Sequence, residues 1–540
     1  MRGVVRGAGL GAALLLAPLA GAAQEAPAGK ATYDRWCAGC HGVDGKGEGP
    51  GAAEMLPRPR DFTTGKYEIR STPSGALPTD DDILSVILDG MPGTSMPGWR
   101  EKLSNTERRG LVTYLKSFSP FFESQPAPEP VSIPSAPSAN EAALAEGKEF
   151  YEKIECHRCH GLAGRGDGSS APTLEDDNER PVRAVDLTEN WFFNGGGSVE
   201  AIHQRLVTGL NGTPMPSFQD LIEAEFMTEE QLWHVAQYVR SLAPERPPRV
   251  REVVRAALVE GDLPGSVDDP AWESVERFYV PLVGQVIVEP RWFAPMVDGV
   301  WVQALHNGSE VALRVVWHDP SESPDPRWDE WTAKVVGLMP PAVAAADTTA
   351  GGADTTAVVA DTIAPGPAAA RHPDALVVQF PRSIPSGMER PYFLMGDERD
   401  PVYVWRWESG GETRELLARG LARYEPLAGT QPGAVTAEAV HDAGQWRLML
   451  RRAIDGGEIE DRLSFEPGRA IPMALFAWDG SNGESGTQGS IGSWYFLYLD
   501  QPTARTVYVA PLIATLLTAA LGVVVVRRAQ RRGSGSAGRS

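Results

Sequence analysis

Hydrophobic and polar positions follow two different periods along the 540-residue chain. In the first half, apolar residues recur at helical spacing in 106–118 (TERRGLVTYLKSF) and 228–242 (TEEQLWHVAQYVRSL), which predicts two amphipathic helices. Both segments open on threonine with glutamate nearby, a combination typical of a helix N-terminus. Beyond about residue 250, apolar and polar residues alternate along several segments instead, so strands are expected there.

The alternating part of the chain contains several strand candidates. Residues 301–320 predict a β-hairpin, because Asn307-Gly308 suits a turn with positive φ angles. Further strands are expected at 401–408, 445–454 and 493–499. One face of the segment 401–408 carries three aromatic residues, Tyr403, Trp405 and Trp407. Together these segments predict an all-β, sandwich-like domain.

Composition marks the domain boundaries. Residues 124–140 form a linker rich in Pro, Ser and Ala, and APERPPRVR (243–251) closes the helical part. Residues 342–370 are of low complexity and are expected to form a surface insertion in the β domain. Two small all-α domains and one β domain are therefore expected at 24–123, 141–246 and 250–502.

Two apolar runs indicate where the protein is expected to lie in the cell. Residues 1–23 combine two arginines, a short apolar run and a small-residue region near Ala22 or Ala23, the pattern of a cleaved signal peptide. Residues 507–526 are uncharged and long enough to cross a bilayer as a helix. The tail 527–540 begins with RRAQRR, which the positive-inside rule places in the cytoplasm. The sequence thus predicts a single C-terminal membrane anchor with the bulk of the chain in the bacterial periplasm.

All four cysteines lie in two C-x-x-C-H motifs, CAGCH at 37–41 and CHRCH at 156–160. A disulfide framework would scatter its cysteines, and a shared zinc ion would have to gather pairs that are 119 residues apart. The motif fits covalent attachment of haem c, in which both thiols form thioethers and the histidine binds iron. Cys37, Cys40 and His41, with Cys156, Cys159 and His160, are the predicted attachment residues.

A repeat with a period of 119 residues supplies a candidate for the sixth iron ligand. The period superimposes the two C-x-x-C-H motifs and also aligns GMPGTSMPGW (90–99) with GLNGTPMPSF (209–218). Met96 lies 55 residues after His41, and Met215 lies 55 residues after His160. Met91 lies in the same loop, but Met96 alone matches Met215 in the repeat. A thioether favours ferrous iron and closes the site to substrates, so such haems carry electrons.

Residues 30–120 and 145–244 resemble class I cytochrome c domains throughout. In that family the C-x-x-C-H histidine and the T-x-M-P methionine are the axial ligands of haem iron. The resemblance implies His41 with Met96, and His160 with Met215, as the two pairs. His157 is expected to be a spacer residue, and His203 and His234 are expected to be ordinary helix residues.

The charge of the chain argues against one class of partner. The formal net charge is −21, and the basic cluster lies in the predicted cytoplasmic tail. Nucleic acid is therefore not an expected partner. An acidic periplasmic surface would instead suit a basic cytochrome or a complementary subunit.

Residues 250–502 resemble the haem-binding γ subunit of ethylbenzene dehydrogenase and related molybdoenzymes, on PYFLMGDERDPVYVWRWES (391–409) and FAWDGSNGESGTQGSIGSWYFLYL (476–499). In that family a methionine and a lysine hold one b-type haem. Met395 matches the methionine, but Gln488-Gly489-Ser490 stands where the lysine is expected. Either another residue, such as His441 or Met473, completes the site, or the domain docks a partner without haem b. We expect weak binding of haem b or none.

These features predict a membrane-anchored, periplasmic dihaem cytochrome c that relays electrons in a respiratory chain as a subunit of a molybdopterin oxidoreductase complex. Its expected partners are a catalytic or iron-sulfur subunit, docked by the β domain, and a soluble cytochrome or respiratory complex. One alternative is a dihaem enzyme, a peroxidase or sulfur-compound oxidase, which requires an open iron site. The other is a redox-tethered ligand-binding sensor, since similar β-sandwiches bind carbohydrate. No catalytic residue is predicted.

Overall fold

The computed structural model describes residues 28–126, 128–339, 371–387, 389–431, 433–501 and 506–536. These residues form two small helical domains, a large β domain and a long C-terminal helix. The predicted signal peptide (1–23) and low-complexity insertion (342–370) lie outside the described residues.

The first helical domain packs its helices around a small apolar core that includes Tyr33, Ile87 and Leu111. Its helices are α1 (Lys30–Trp36), α2 (Ala38–His41), α3 (Asp80–Asp89), α4 (Asn105–Lys116) and α5 (Phe121–Ser124). The amphipathic helix predicted at 106–118 is present as α4, but the predicted threonine cap is wrong. Ser104 caps this helix and Glu107 completes a capping box, because these two residues have the S-x-x-E spacing that a capping box requires.

The second helical domain repeats this arrangement. It contains α6 (Glu141–Lys153), α7 (His157–His160), α8 (Val199–Thr208), α9 (Gln219–Glu223) and α10 (Glu229–Leu242). Helix α10 confirms the amphipathic helix predicted at 228–242, and Thr228 caps it as expected, with Gln231 as its capping-box partner. Gly147 allows close packing of α6 on α10, since a Cβ atom there would overlap the His234 carbonyl.

The β domain confirms the strands predicted from the alternating segments. Its strands are β1 (Val253–Leu258), β2 (Phe278–Pro281), β3 (Val283–Gly284), β4 (Gly299–His306), β5 (Glu310–His318), β6 (Ala375–Pro381), β7 (Val402–Glu408), β8 (Arg414–Ala418), β9 (Tyr424–Pro426), β10 (Thr436–Asp442), β11 (Gln445–Ala453), β12 (Ala470–Trp478), β13 (Ser490–Ile491) and β14 (Tyr495–Leu499). Helix α11 (Asp329–Leu338) follows β5. In the predicted hairpin, β4 pairs antiparallel with β5, and Gly308 has a φ of 88°.

The β domain is one curled sheet whose two halves face each other. Its main strand order is β10-β11-β5-β4-β1-β14-β12-β6-β7-β8-β9. Trp317 of β5 contacts Trp407 of β7 across the core, with ring centroids 5.8 Å apart. Tyr403, Trp405 and Trp407 join the same buried cluster, as their alternation predicts. The sandwich-like layers are therefore halves of a continuous hydrogen-bonded sheet.

A long helix, α12 (Thr506–Ser536), ends the described chain. The most apolar 18-residue window of its segment Val509–Arg531 has a mean hydropathy of 2.5 and is not buried against the rest of the protein. This is the one helix in the described residues that is long and apolar enough to cross a membrane. It covers the predicted segment 507–526.

Candidate haem sites

In each helical domain, two consecutive helices bring the C-x-x-C-H residues onto one tight turn. Helix α1 ends at Trp36, and Cys37 then leads into α2, which carries Cys40 and His41. The buried Tyr33 hydroxyl donates to the Gly42 carbonyl (2.7 Å) and fixes this turn.

The second domain has the same turn with the same brace. Tyr151 donates to the Gly161 carbonyl (2.7 Å), and α7 carries His160. Each tyrosine ends a G-K-x-x-Y segment, at 29–33 in the first domain and at 147–151 in the second. The sequence signal for this role is therefore the tyrosine shared by the two segments.

Each motif histidine has one ring nitrogen held by a backbone carbonyl. His41 Nδ1 lies 3.1 Å from the Arg60 carbonyl oxygen, and His160 Nδ1 lies 3.0 Å from that of Val185. When Nδ1–H donates to these carbonyls, Nε2 keeps its lone pair for a metal. Burial lowers the pKa of both imidazoles, which favours the neutral form that iron requires. Sequence reasoning missed Arg60 and Val185, because every residue carries a carbonyl.

The four cysteines are free thiols in the structure. Burial raises the pKa of Cys37 to about 11 and that of Cys156 to about 12. Unpaired thiols beside a histidine with a free Nε2 match the donor set of a c-type haem site. The residues present therefore fit this cofactor in both domains.

The two T-x-M-P loops have the same internal hydrogen bonds. In the first loop, the Met91 N–H donates to the Met96 carbonyl (3.0 Å), and the Thr94 hydroxyl donates to the Met91 carbonyl (2.7 Å). The Met96 N–H donates to the Thr94 hydroxyl (3.1 Å). This threonine explains the first letter of the T-x-M-P element, which the sequence left without a role.

In the second loop, Leu210 takes the place of Met91, and Thr213 bonds in the same way as Thr94. The Leu210 N–H donates to the Met215 carbonyl (3.1 Å), and the Thr213 hydroxyl donates to the Leu210 carbonyl (2.9 Å). Met215 and Cys156 pack on the same apolar cluster of the second domain. Met96 and Met215 are both half-buried, and their assignment as iron ligands stays a prediction.

The remaining histidines of the second domain have different surroundings. His157 is half-buried. His234, on α10, contacts Glu146 (2.7 Å). His203, on α8, is completely buried and stacks on Trp233 with ring centroids 3.7 Å apart, and burial lowers its pKa to about 4.

The two helical domains contact each other directly. Arg70 is completely buried and donates to the Thr208 carbonyl at the end of α8. Arg205 donates in return to the Arg70 carbonyl (2.7 Å). The Gly75 N–H donates to Asn211 Oδ1 (3.3 Å), in the second methionine loop.

The second helical domain also contacts the β domain. Arg183 donates to the carbonyls of Pro295 (2.6 Å) and Ala294 (2.8 Å). His318 Nε2 lies 2.7 Å from the Arg165 carbonyl oxygen, in the glycine-rich loop that follows the second C-x-x-C-H motif. The β domain therefore lies against the second candidate haem site.

The residues around Met395 do not fit a b-type haem. Met395 is completely buried in a positive-φ conformation (60°), and its sulfur accepts a hydrogen bond from Tyr424 (3.1 Å). Met473 lies in a different buried cluster, on the other face of the sheet. His441 lies on β10, where its Nε2 contacts the Asp319 carbonyl (2.9 Å). Neither alternative second ligand accompanies Met395.

Two C-x-x-C-H turns on small helical domains define an electron-transfer cytochrome with haem c as its cofactor. Residues 24–115 match the family "Cytochrome C oxidase, cbb3-type, subunit III", and residues 144–243 match the family "Cytochrome c". Cytochrome c55X of Paracoccus denitrificans is 36% identical over 110 residues, which are 19% of this chain and 90% of that protein. The chain belongs to the cytochrome c family.

Two further relatives are subunits of reductases. ORF7 of Haloferax mediterranei, assigned as a respiratory nitrate reductase heme subunit, is 25% identical over 52% of this chain and 85% of its own length. The chlorate reductase subunit gamma of Ideonella dechloratans is 28% identical over 23% of this chain and about half (49%) of its own length. The chain is thus an electron-transfer cytochrome related to haem subunits of nitrate and chlorate reductases.

The solved structures that are similar to this chain include one from Kuenenia stuttgartiensis. A chain of the reducing HAO-like protein complex of Kuenenia stuttgartiensis is 42% identical, with 41% of this chain and 97% of that chain covered and a TM-score of 0.38.

Proposed function

We propose that this protein is a membrane-anchored, periplasmic dihaem cytochrome c that serves as the electron-transfer subunit of a molybdopterin oxidoreductase complex. One observation carries the proposal: two C-x-x-C-H turns, each with a carbonyl-bound histidine and a T-x-M-P loop, lie in domains that contact each other directly. A haem with His/Met ligation would supply one-electron transfer at each site. The chain's own residues hold the two sites in a fixed relation.

In this proposal, Cys37, Cys40, Cys156 and Cys159 form the thioethers, and His41 with Met96, and His160 with Met215, are the axial ligands. The cytochrome domains extend over 24–123 and 141–246, and the docking domain over 250–502. The coordination chemistry of the donors supports this assignment, because neutral imidazole and thioether together stabilise ferrous iron and leave no open position.

Both methionine loops lie at the contact between the cytochrome domains, which supports transfer between the two sites. Gly93 of the first loop lies beside Phe192 of the second domain. Gly212 of the second loop lies beside the Arg60 side chain. Arg60 is also the residue whose carbonyl holds His41. The electron route between the two sites would therefore cross this direct contact between the domains.

The location rests on the two apolar segments. Helix α12 would cross the cytoplasmic membrane and place its basic end in the cytoplasm. The signal peptide expected at 1–23 would export the rest, which agrees with haem c attachment outside the bacterial cytoplasm.

The β domain would dock the catalytic or iron-sulfur subunit. Its resemblance to the γ subunit of ethylbenzene dehydrogenase supports this role, as do the names of the nitrate and chlorate reductase relatives. Its contacts with the Arg165 loop would bring the partner's redox centre towards the second haem. The other redox partner would be a soluble cytochrome or a respiratory complex.

Affinity purification from solubilised membranes tests the proposed complex. We expect a molybdenum-containing subunit to co-purify, and its reduced form to reduce the haems of this chain in stopped-flow absorbance. If this protein elutes without any partner from fresh membranes, and accepts no electrons from a molybdenum-containing membrane fraction, the assignment is contradicted.

Rapid binding of carbon monoxide by the ferrous protein would favour the dihaem enzyme, because His/Met iron has no open site. Glycan binding by the purified protein would favour the sensor.

We predict that Met395→Ala leaves the haem content unchanged and lowers the free energy of unfolding. Truncation of a buried methionine costs about 2–5 kcal/mol, and Met395 is completely buried. Met473→Ala is the matched control, since Met473 is equally buried on the opposite face of the sheet. Extraction and pyridine haemochrome spectra measure haem b. One extractable haem b per chain that only Met395→Ala removes would show that the β domain is a third redox centre.

A further inference from the structure

Three aspartates from distant parts of the sequence meet inside the β domain. Asp319 follows β5, Asp374 precedes β6 and Asp479 follows β12. All three side chains are completely buried. One carboxylate oxygen from each lies within 4.8 Å of the corresponding oxygens of the other two. The haem sites do not use this cluster.

In two of these three carboxylates, only one of the two oxygens accepts hydrogen bonds. Asp479 Oδ1 accepts the N–H groups of Ser481 (2.7 Å) and Asn482 (3.1 Å), whereas its Oδ2 has no partner within the described residues. Asp319 Oδ1 accepts the Ser321 N–H (3.1 Å), and its Oδ2 also has no partner there. Two buried carboxylate oxygens are therefore bare, a costly state unless a further group binds them.

A serine side chain supplies a second, independent sign of a missing ligand. Ser323 is 2% exposed, and its side chain lies beside the Asp374 carboxylate, whose Oδ2 accepts the Ser323 N–H (2.6 Å). The Ser323 hydroxyl nevertheless has no hydrogen-bond partner of good geometry among the described residues. A neutral oxygen in this position suits a cation ligand.

The charges near the cluster do not balance. Burial raises the pKa of Asp319, Asp374 and Asp479, and repulsion from neighbouring carboxylates adds to the rise at Asp319 and Asp374. Burial also raises the pKa of the adjacent Glu484 to about 7. The guanidinium of Arg183 faces the cluster, but its N–H groups donate to the carbonyls of residues 294 and 295 and to an amide oxygen. The charge of Arg183 acts on Glu484, Asp479 and also Asp298, so this single guanidinium does not balance the carboxyl groups of the cluster.

We propose that Asp319, Asp374 and Asp479 bind one calcium ion. Oxygen donors select hard cations, and Ca²⁺ accepts six to eight oxygens in flexible geometry at about 2.3–2.6 Å. Mg²⁺ usually retains several waters, for which a completely buried site offers little room. Zinc and copper prefer nitrogen or sulfur donors, which the three aspartates do not supply.

The ion would tie the two halves of the curled sheet together. Asp319 follows β5 in one half, whereas Asp374 and Asp479 adjoin β6 and β12 in the other. The segment after Asp479 also contacts the second cytochrome domain, because Arg183 donates to Asn482 Oδ1 (3.3 Å). Calcium would therefore stabilise both the β domain and its contact with the cytochrome.

Metal analysis and thermal unfolding of the detergent-solubilised full-length protein test the proposal. We expect about one calcium per chain by mass spectrometry after desalting. After EGTA treatment, CaCl₂ should raise the unfolding midpoint and MgCl₂ should not, since a ligand that binds the folded state stabilises it by mass action. Visible haem spectra should not change when calcium is removed or added. If the calcium proposal fails, the proposed function is therefore unaffected.

Asp319→Asn and Asp479→Asn are expected to lower calcium affinity at least about 100-fold, since loss of an outer-shell partner alone costs 10–100-fold. Asp397→Asn is the control: Asp397 also accepts two local N–H groups, but it is exposed. Unsubstituted protein that contains no calcium, and whose unfolding midpoint responds to neither CaCl₂ nor MgCl₂, would overturn the proposal. If the asparagine variants do not fold, the parent measurements decide alone.

Discussion

Replacement of Cys37 and Cys40 by serine is expected to remove one of two covalent haems and leave the haem of the second domain in place. Each C-x-x-C-H turn has its own tyrosine brace and its own carbonyl for the histidine. Neither attachment turn takes a residue from the other domain. Haem that survives denaturation and acid-acetone extraction, measured by pyridine haemochrome and protein mass, should fall to half.

Two further variants make this result specific. Cys156→Ser with Cys159→Ser should remove the other haem and leave the first. His157→Ala lies inside the second motif without altering a predicted ligand, so it should retain both haems. Two covalent haems in either double-serine variant would show that the cysteines are not the attachment sites.

Haem c as the cofactor could be predicted from the sequence because its signal resides in rare residues at fixed spacing, four cysteines in two motifs. The methionines 55 residues after each motif histidine stay predicted ligands. The groups that position these residues were not predictable in the same way. The carbonyls of Arg60 and Val185 hold the histidines, and a carbonyl gives no sequence signal.

Long-range packing accounts for most of what the sequence did not show. The strands were visible as alternating segments, but only three-dimensional pairing shows that both layers belong to one curled sheet. The buried aspartates at 319, 374 and 479 are separated by at least 55 residues in the sequence, so no local motif links them. The Ser104 cap was missed for a different reason, because the predicted helix was started two residues too late.

The second large effect is expected at the methionine loops. Met96→His and Met215→His should each lower the midpoint potential of one haem by a few tenths of a volt, since axial ligands set haem potentials over a range of about 0.8 V. A thioether stabilises ferrous iron, whereas imidazole is a stronger donor that stabilises ferric iron. Spectroelectrochemical titration of the two haems measures the change. The charge-transfer band of methionine-ligated ferric haem should also disappear at the altered site.

Met91→Leu separates ligation from loop structure in this experiment. Met91 supports the first loop through its backbone, since its N–H donates to the Met96 carbonyl (3.0 Å) and its carbonyl accepts the Thr94 hydroxyl (2.7 Å). Leucine already occupies the equivalent position 210 and makes the same backbone bonds. Met91→Leu should therefore keep both potentials and the methionine band. A large shift in Met91→Leu with none in Met96→His would identify Met91 as the ligand, and with it the repeat-based assignment of Met96 would fail.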